Sequence, residues 1–445
     1  MPPLLVNIKK MKRFNLIVLI ACAGLFLNID SSQAQSSGKL AEEILNDHKL
    51  DTVLDKAKQL LSKGFNAGDG YPQVWIRDLN TFIEISSQVY DHKIIRDNLL
   101  TFLYLQQPNG EIVDGYALKG HVTWGDPNIY TSPYDTLHVG FKNTVETDQE
   151  TSLIQAIGKY IRITGDTNIL NEKIAGMPVL AHLRRSINYL LKNRYSKKYK
   201  LLTGATTQDW GDVQIEGGAV VDVDKNTHWA IDIYDNAMFV IALKDMIHFT
   251  KDPAEKKKWA DLKKLTEQNI RKYLWDSARH KFIPHIYIAG SPFPKSFDEN
   301  KIYFNGGTAV AIEAGLLSKK EIELVNNDML RNVRLSRAPS IGLTLYPPYP
   351  DGIYKGANTS KPYVYQNGGD WSWFGGRMIQ QLIANGFVQQ AYDELQPMID
   401  RVIKNKKFYE WYSVYGKPEG SADFKGSAGV LGKAIEMLQA WAKAQ

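Results

Sequence analysis

The chain has 445 residues, 44% of them apolar, enough to bury a large core. Its net charge is +6, and removing residues 1–34 takes away four Lys/Arg and one Asp to leave about +3, with no basic stretch carrying interleaved aromatics, so nucleic-acid binding is unsupported. Cys22 is the only cysteine, which excludes a disulfide and a zinc–thiolate site from the rest of the chain.

In chain order, the first feature is a targeting segment. Lys9, Lys10, Lys12 and Arg13 precede the apolar run 16–27, and Ser32-Gln33-Ala34 supplies a small-x-small cleavage site. The pattern predicts a signal peptide over 1–34 and an exported chain, periplasmic or secreted. Met11 is an alternative start. Leu19-Ile20-Ala21-Cys22 resembles a lipoprotein box, so lipid anchoring through Cys22 stands as the alternative fate. The apolar run is short for a bilayer span, and no integral span is expected in the mature chain.

Apolar periodicity then predicts helices over 41–63, 74–90, 93–106, 147–165, 176–195, 231–250, 254–274, 306–316, 319–331, 371–386, 388–404 and 426–443. Gly64, Gly165, Gly315 and Gly386 stand where helix stops belong. Short links, as between 371–386 and 388–404, make antiparallel hairpins. Twelve helices in six hairpins predict an all-α fold, an (α/α)6 barrel, as one domain over 36–445. Alternating, strand-like patterns are few. The long segments 107–145, 197–230, 276–304, 332–370 and 405–425 are rich in Gly, Pro, Asp, Trp and Tyr. Such loops belong at one end of the barrel, carrying the chemistry.

Ten Trp and 23 Tyr are an unusual allowance, and ring faces that are not core suit the C–H faces of sugars. Glycoside hydrolysis needs two carboxyl groups flanking the scissile bond. The informative acids are therefore those that stand among aromatics in the loops. Val74-Trp75-Ile76-Arg77-Asp78 opens a predicted helix; Asp78 fits a helix cap as well as a sugar hydroxyl. Glu146-Thr147-Asp148-Gln149-Glu150 opens another, with more acids than a cap requires. Gln208-Asp209-Trp210-Gly211-Asp212 places acids beside an indole that can desolvate them and raise their pKa, which suits a general acid. Tyr365-Gln366-Asn367-Gly368-Gly369-Asp370-Trp371-Ser372-Trp373 joins amides, an acid and two indoles. Phe408-Tyr409-Glu410-Trp411-Tyr412 sets one Glu inside an aromatic run; a buried Glu–Arg pair is the competing role, and Glu419 and Asp423 are nearby alternatives.

The order of these motifs resembles the six-hairpin glycosidases: glucoamylases, trehalases, processing α-glucosidases, mannosylglycerate hydrolases and exo-α-1,6-mannosidases. The resemblance spans about residues 70–443 in short stretches. Trp75-x-Arg77-Asp78 looks like the Trp-x-Arg-Asp that holds the non-reducing-end sugar in glucoamylases. Asp209 falls where trehalases and processing glucosidases carry their general acid. The preceding Ser-Gly is missing, and Asp212 stands as the rival. Asn367-Gly368 through Trp373 is similar to an Asn-Gly-x-x-Trp stretch, and Glu410 falls where the general base is expected.

The resemblance implies an exo-acting, inverting hydrolase of an α-glucoside or α-mannoside, with Asp209 as acid and Glu410 as base. Arg77 and Asp78 would fix the sugar, with Asp148, Gln149, Asp212 and Asn367 also at the substrate. Trp75, Trp210, Trp371, Trp373 and Trp411 would form the walls. No cofactor is implied, and the nine His show no metal-ligand spacing. The expected partner is an oligosaccharide or glycoside. Two alternatives remain: a glycoside phosphorylase on the same barrel, for which Lys417 and Lys425 are candidate phosphate contacts, and a non-catalytic carbohydrate-binding protein.

Overall fold

Two kinds of helix alternate along this chain, and their burial tells them apart. The computed structural model describes residues 37–121, 129–216, 221–356 and 360–445. The signal peptide read over 1–34, and Cys22 within it, lie outside the described residues. Among those described, no helix is long and apolar enough to cross a membrane. The chain falls into two compact units. One takes the described residues through His48 together with Glu436–Gln445, and the other is Lys49–Ile435. The candidate site lies within the second.

The helices are α1 (37–46), α2 (His48–Leu61), α3 (Ile76–Ser86), α4 (His92–Tyr104), α5 (Gln149–Thr164), α6 (Val179–Asn193), α7 (Ile233–Phe249), α8 (Pro253–Tyr273), α9 (Asn305–Glu313), α10 (Lys319–Ser336), α11 (Ser372–Ala384), α12 (Val388–Asn405) and α13 (Lys425–Lys443). Each predicted helix is present, the first of them divided at Asp47. Local chemistry sets several ends. Ser318 and Glu321 form a reciprocal capping box on α10. Gly165 closes α5 in the left-handed conformation, its N–H donating to the Ile161 carbonyl.

Helix α7 is buried on nearly all sides, and so is α9 over its first eight residues. Helix α8, by contrast, buries only Trp259, Thr266 and Ile270, and α6 buries a stripe at helical spacing through Val179, Leu183, Ile187 and Leu190. An all-round apolar helix belongs inside, and one with a single stripe belongs outside. Packing follows that division: α3 lies on α5, α5 on α7, α7 on α9 and α9 on α11. The start of α13 meets both ends of the series. Gly429 abuts Phe82 of α3, and Gly376 of α11 abuts Val430, both so closely that no Cβ would fit without movement. The chain neighbours α4, α6, α8 and α12 pack on α3, α5, α7 and α11.

The long loops are less irregular than predicted, for short antiparallel ribbons run through them. Val74–Trp75, Gly115–Leu118, Asp135–Phe141 and Ile129–Ser132 pair in that order. Their register sets Trp75 opposite Gly115 and Gly115 opposite Phe141. Tyr409–Tyr412 pairs with Pro418–Ala422, with Trp411 opposite Glu419. Most of these strands are only two to four residues long, too short for alternation to register in the sequence.

Candidate active site

A cavity of about 640 Å³ opens among the segments that precede the inner helices. Arg77 and Asp78 reach it from the first turn of α3, Glu146 from just before α5, Trp371 and Trp373 from the start of α11, and Phe424 from just before α13. The ribbons supply Trp75 and Glu410, and the loop after α6 supplies Trp210 and Asp212. Indoles form much of the wall. Trp210 packs edge-on against Trp371, with ring centroids 4.9 Å apart, and tilted against Trp373 at 4.8 Å. No Cβ would fit on Gly115 beneath the Trp75 ring, so glycine there is what lets that wall lie close to its neighbouring strand.

Glu410 is held from two sides. The Tyr71 hydroxyl lies 3.1 Å from each of its carboxylate oxygens, and the Ser421 N–H donates to Oε2 at 2.8 Å. Burial pushes Glu410 up to about 7, opposed by these two donors and aided by the charge of Asp212. Burial likewise lifts Asp78 to about 7, against the pull of Arg77 and with Glu410 and Asp212 adding to the rise. Asp114, also on the cavity wall, is raised to about 7 by burial, with Arg77 opposing. Asp212 accepts a hydrogen bond from Gln366 Nε2 at 2.7 Å. Carboxyls shifted by burial and by one another in a concave, aromatic site mark a catalytic candidate.

A family model described as amylo-alpha-1,6-glucosidase matches residues 138–445, including Asp212 and Glu410. The chain belongs to this family. It is a glycoside hydrolase. A comparison with curated proteins finds no match. Among solved structures, the amylo-alpha-1,6-glucosidase family member is similar to a GH63 mannosylglycerate hydrolase from Thermus thermophilus in complex with glucose. That likeness has a TM-score of 0.61 and 15% identity, and covers 87% of this chain and 99% of the other. It is also similar to a rhamnosidase from Klebsiella oxytoca with rhamnose bound, at TM-score 0.56 and 13% identity, covering 88% of this chain and 64% of that one. At such identities the likeness speaks for the fold.

Of the residues singled out from the sequence, the family member's cavity gathers Trp75, Arg77, Asp78, Trp210, Asp212, Trp371, Trp373 and Glu410. The remaining five are placed elsewhere. Asp209 does not line the large cavity. Both its oxygens accept backbone N–H groups at the start of α9, from Gly306 at 2.7 Å and Gly307 at 2.8 Å. Burial pushes its carboxyl up to about 8 against those two donors. Asp148 stands behind Arg77, accepting from its Nε at 2.8 Å and from the Tyr234 hydroxyl at 2.7 Å. Gln149 is tied to Lys142, Glu146 and the Asn143 carbonyl. Asn367 clamps the backbone of Tyr349, accepting from its N–H and donating to its carbonyl. Trp411 packs against Tyr365 rather than on the cavity wall. Each is a buried polar or aromatic group satisfied by the scaffold, which motif spacing alone does not distinguish from a sugar contact.

Tyr71, Gln73 and Asp114 line the cavity and were not singled out in the sequence. A signal existed for the first two. Tyr71, Gln73 and Trp75 alternate in sequence with Pro72 and Val74, and the first three line the cavity while the other two do not.

Proposed function

We propose an exo-acting, inverting glycoside hydrolase on a six-hairpin (α/α)6 barrel, with Asp212 as general acid and Glu410 as general base. The single observation that carries this reading is the shared cavity. Asp212 and Glu410 both face it, between indole walls. Asp212 would protonate the glycosidic oxygen. Glu410, its orientation fixed by Tyr71 and Ser421, would take a proton from the water attacking the anomeric carbon. An inverting pair stands about 6.5–9.5 Å apart to admit that water. Asp78 would bind sugar hydroxyls, and Arg77, braced by Glu146 and Asp148, would shape the floor. The family description favours an α-1,6-glucosidic bond, with the α-mannoside as the second candidate. The export segment read over 1–34 would place the reaction outside the cytoplasm.

The cations argue against phosphate as the nucleophile. Arg77 and Lys142 are the cationic side chains on the cavity wall among the described residues, and carboxylates already hold both. Lys417 pairs with Glu419 at 2.8 Å, and Lys425 bonds Asn66 Oδ1 at 2.9 Å. Five carboxyls line the same cavity, which repels an anion.

The test is a set of single substitutions assayed on 4-nitrophenyl α-glucoside, 4-nitrophenyl α-mannoside and isomaltose. Glu410→Gln and Asp212→Asn are expected to lower kcat by about 100-fold or more with the fold intact. Near-native turnover by Glu410→Gln contradicts the assignment of the base.

A further inference from the structure

We infer that Gln73 is a substrate-binding residue that reads one hydroxyl position of the sugar held in the cavity. The inference rests on the hydrolase reading and extends it to specificity. Gln73 is fully buried, at 0% exposure, yet it lines the cavity. Neither Nε2 nor Oε1 has a hydrogen-bond partner among the described residues. Its backbone is anchored, the carbonyl accepting from the Ala67 N–H at 3.2 Å.

A buried, unpaired amide destabilises the protein that carries it, and native structures keep few such groups. An amide also offers a donor and an acceptor, which a sugar hydroxyl can satisfy together. The position fits that use. Along the chain Gln73 stands between Tyr71, which holds Glu410, and Trp75, which forms a wall, and all three line the cavity. A sugar ring held between Glu410 and Trp75 would lie within the cavity that this amide lines. The indole N–H groups of Trp210 and Trp373 are also buried, line the cavity and lack partners among the described residues. A site built from unpaired polar groups rejects a ligand that lacks the matching hydroxyl far more strongly than an apolar pocket rejects a wrong shape.

The experiment uses Gln73→Leu and Gln73→Met in the full chain. The probes are the 4-nitrophenyl α-glycoside that the native enzyme cleaves fastest and its monodeoxy analogues. On the parent glycoside, kcat/KM is expected to fall about 100-fold or more. One deoxy analogue should lose a comparable factor with the native enzyme, and on that analogue the substitutions should have little further effect. Both variants should melt at or above the native temperature, because each removes an unpaired buried amide. An unchanged rate on the parent, an equal loss on every analogue, or a lower melting temperature overturns the inference. Calorimetric binding of the same probes to Glu410→Gln, with and without the Gln73 change, separates the two readings. If the native enzyme binds the probes without cleaving them, the hydrolase reading fails while Gln73 is still judged by affinity. Affinity that ignores Gln73 overturns the inference alone.

Discussion

Asp209 and Asp212 are three residues apart in one loop, and their surroundings differ. Asp209 sits at a φ of 58° and closes the start of α9 through two backbone N–H groups. Asparagine there presents an amide N–H₂ to donors, so Asp209→Asn should lower stability by about 1–3 kcal/mol, read as a lower Tm. Asp212→Asn should melt as the native protein does. Its rate should collapse on glycosides but remain much nearer native on a glycosyl fluoride, whose leaving group needs no proton. Equal losses on both substrates would remove Asp212 from the role of acid. The proposed base makes a second prediction. Glu410 must be ionised to act, so kcat/KM should climb as pH rises through about 7. Tyr71 donates to the charged form and lowers that pKa, so Tyr71→Phe should move the rising limb to higher pH. A pH–rate profile of the variant that overlays the native one would deny Tyr71 this part. The place of Glu410 on the cavity wall was legible in the sequence because a lone acid within Phe408–Tyr412 has few structural uses. Which of Asp209 and Asp212 lines that cavity was not, since it depends on which side of the loop each carboxyl leaves.

Helices were legible as elements because α7 and α9 are apolar nearly all round while α6 carries a buried stripe, and both patterns survive in a single sequence. The ribbons were not, because pairs such as Tyr303–Phe304 with Leu345–Tyr346 are fixed by partners distant in the chain. One of them carries Glu410, the proposed base. In the hairpin of Tyr409–Tyr412 and Pro418–Ala422, Gly420 has a φ of 69°, and a Cβ there would stand 2.5 Å from Glu410 Oε2. Gly420→Ala should therefore displace the carboxylate and lower kcat by about tenfold or more, since small misplacements of catalytic groups are expensive. A Gly420→Ala variant with native kcat would mean that the hairpin does not set the position of Glu410.

Across the described residues, the alternate helices form a succession that returns from α13 to α3, and the segments leading into α3, α5, α11 and α13 line one cavity. Residues far apart in sequence, from Tyr71 to Glu410, thereby meet at one cavity. The acid excess of that cavity predicts that added inorganic phosphate leaves the rate unchanged and that free sugar, not sugar phosphate, accumulates. Phosphate-dependent turnover would restore the phosphorylase reading. The central claim is an inverting displacement between Asp212 and Glu410. Proton NMR of the sugar formed in the first moments of α-glycoside cleavage tests it most directly. The β-anomer should appear first and then mutarotate; an α-anomer appearing first would show a double displacement and contradict the account.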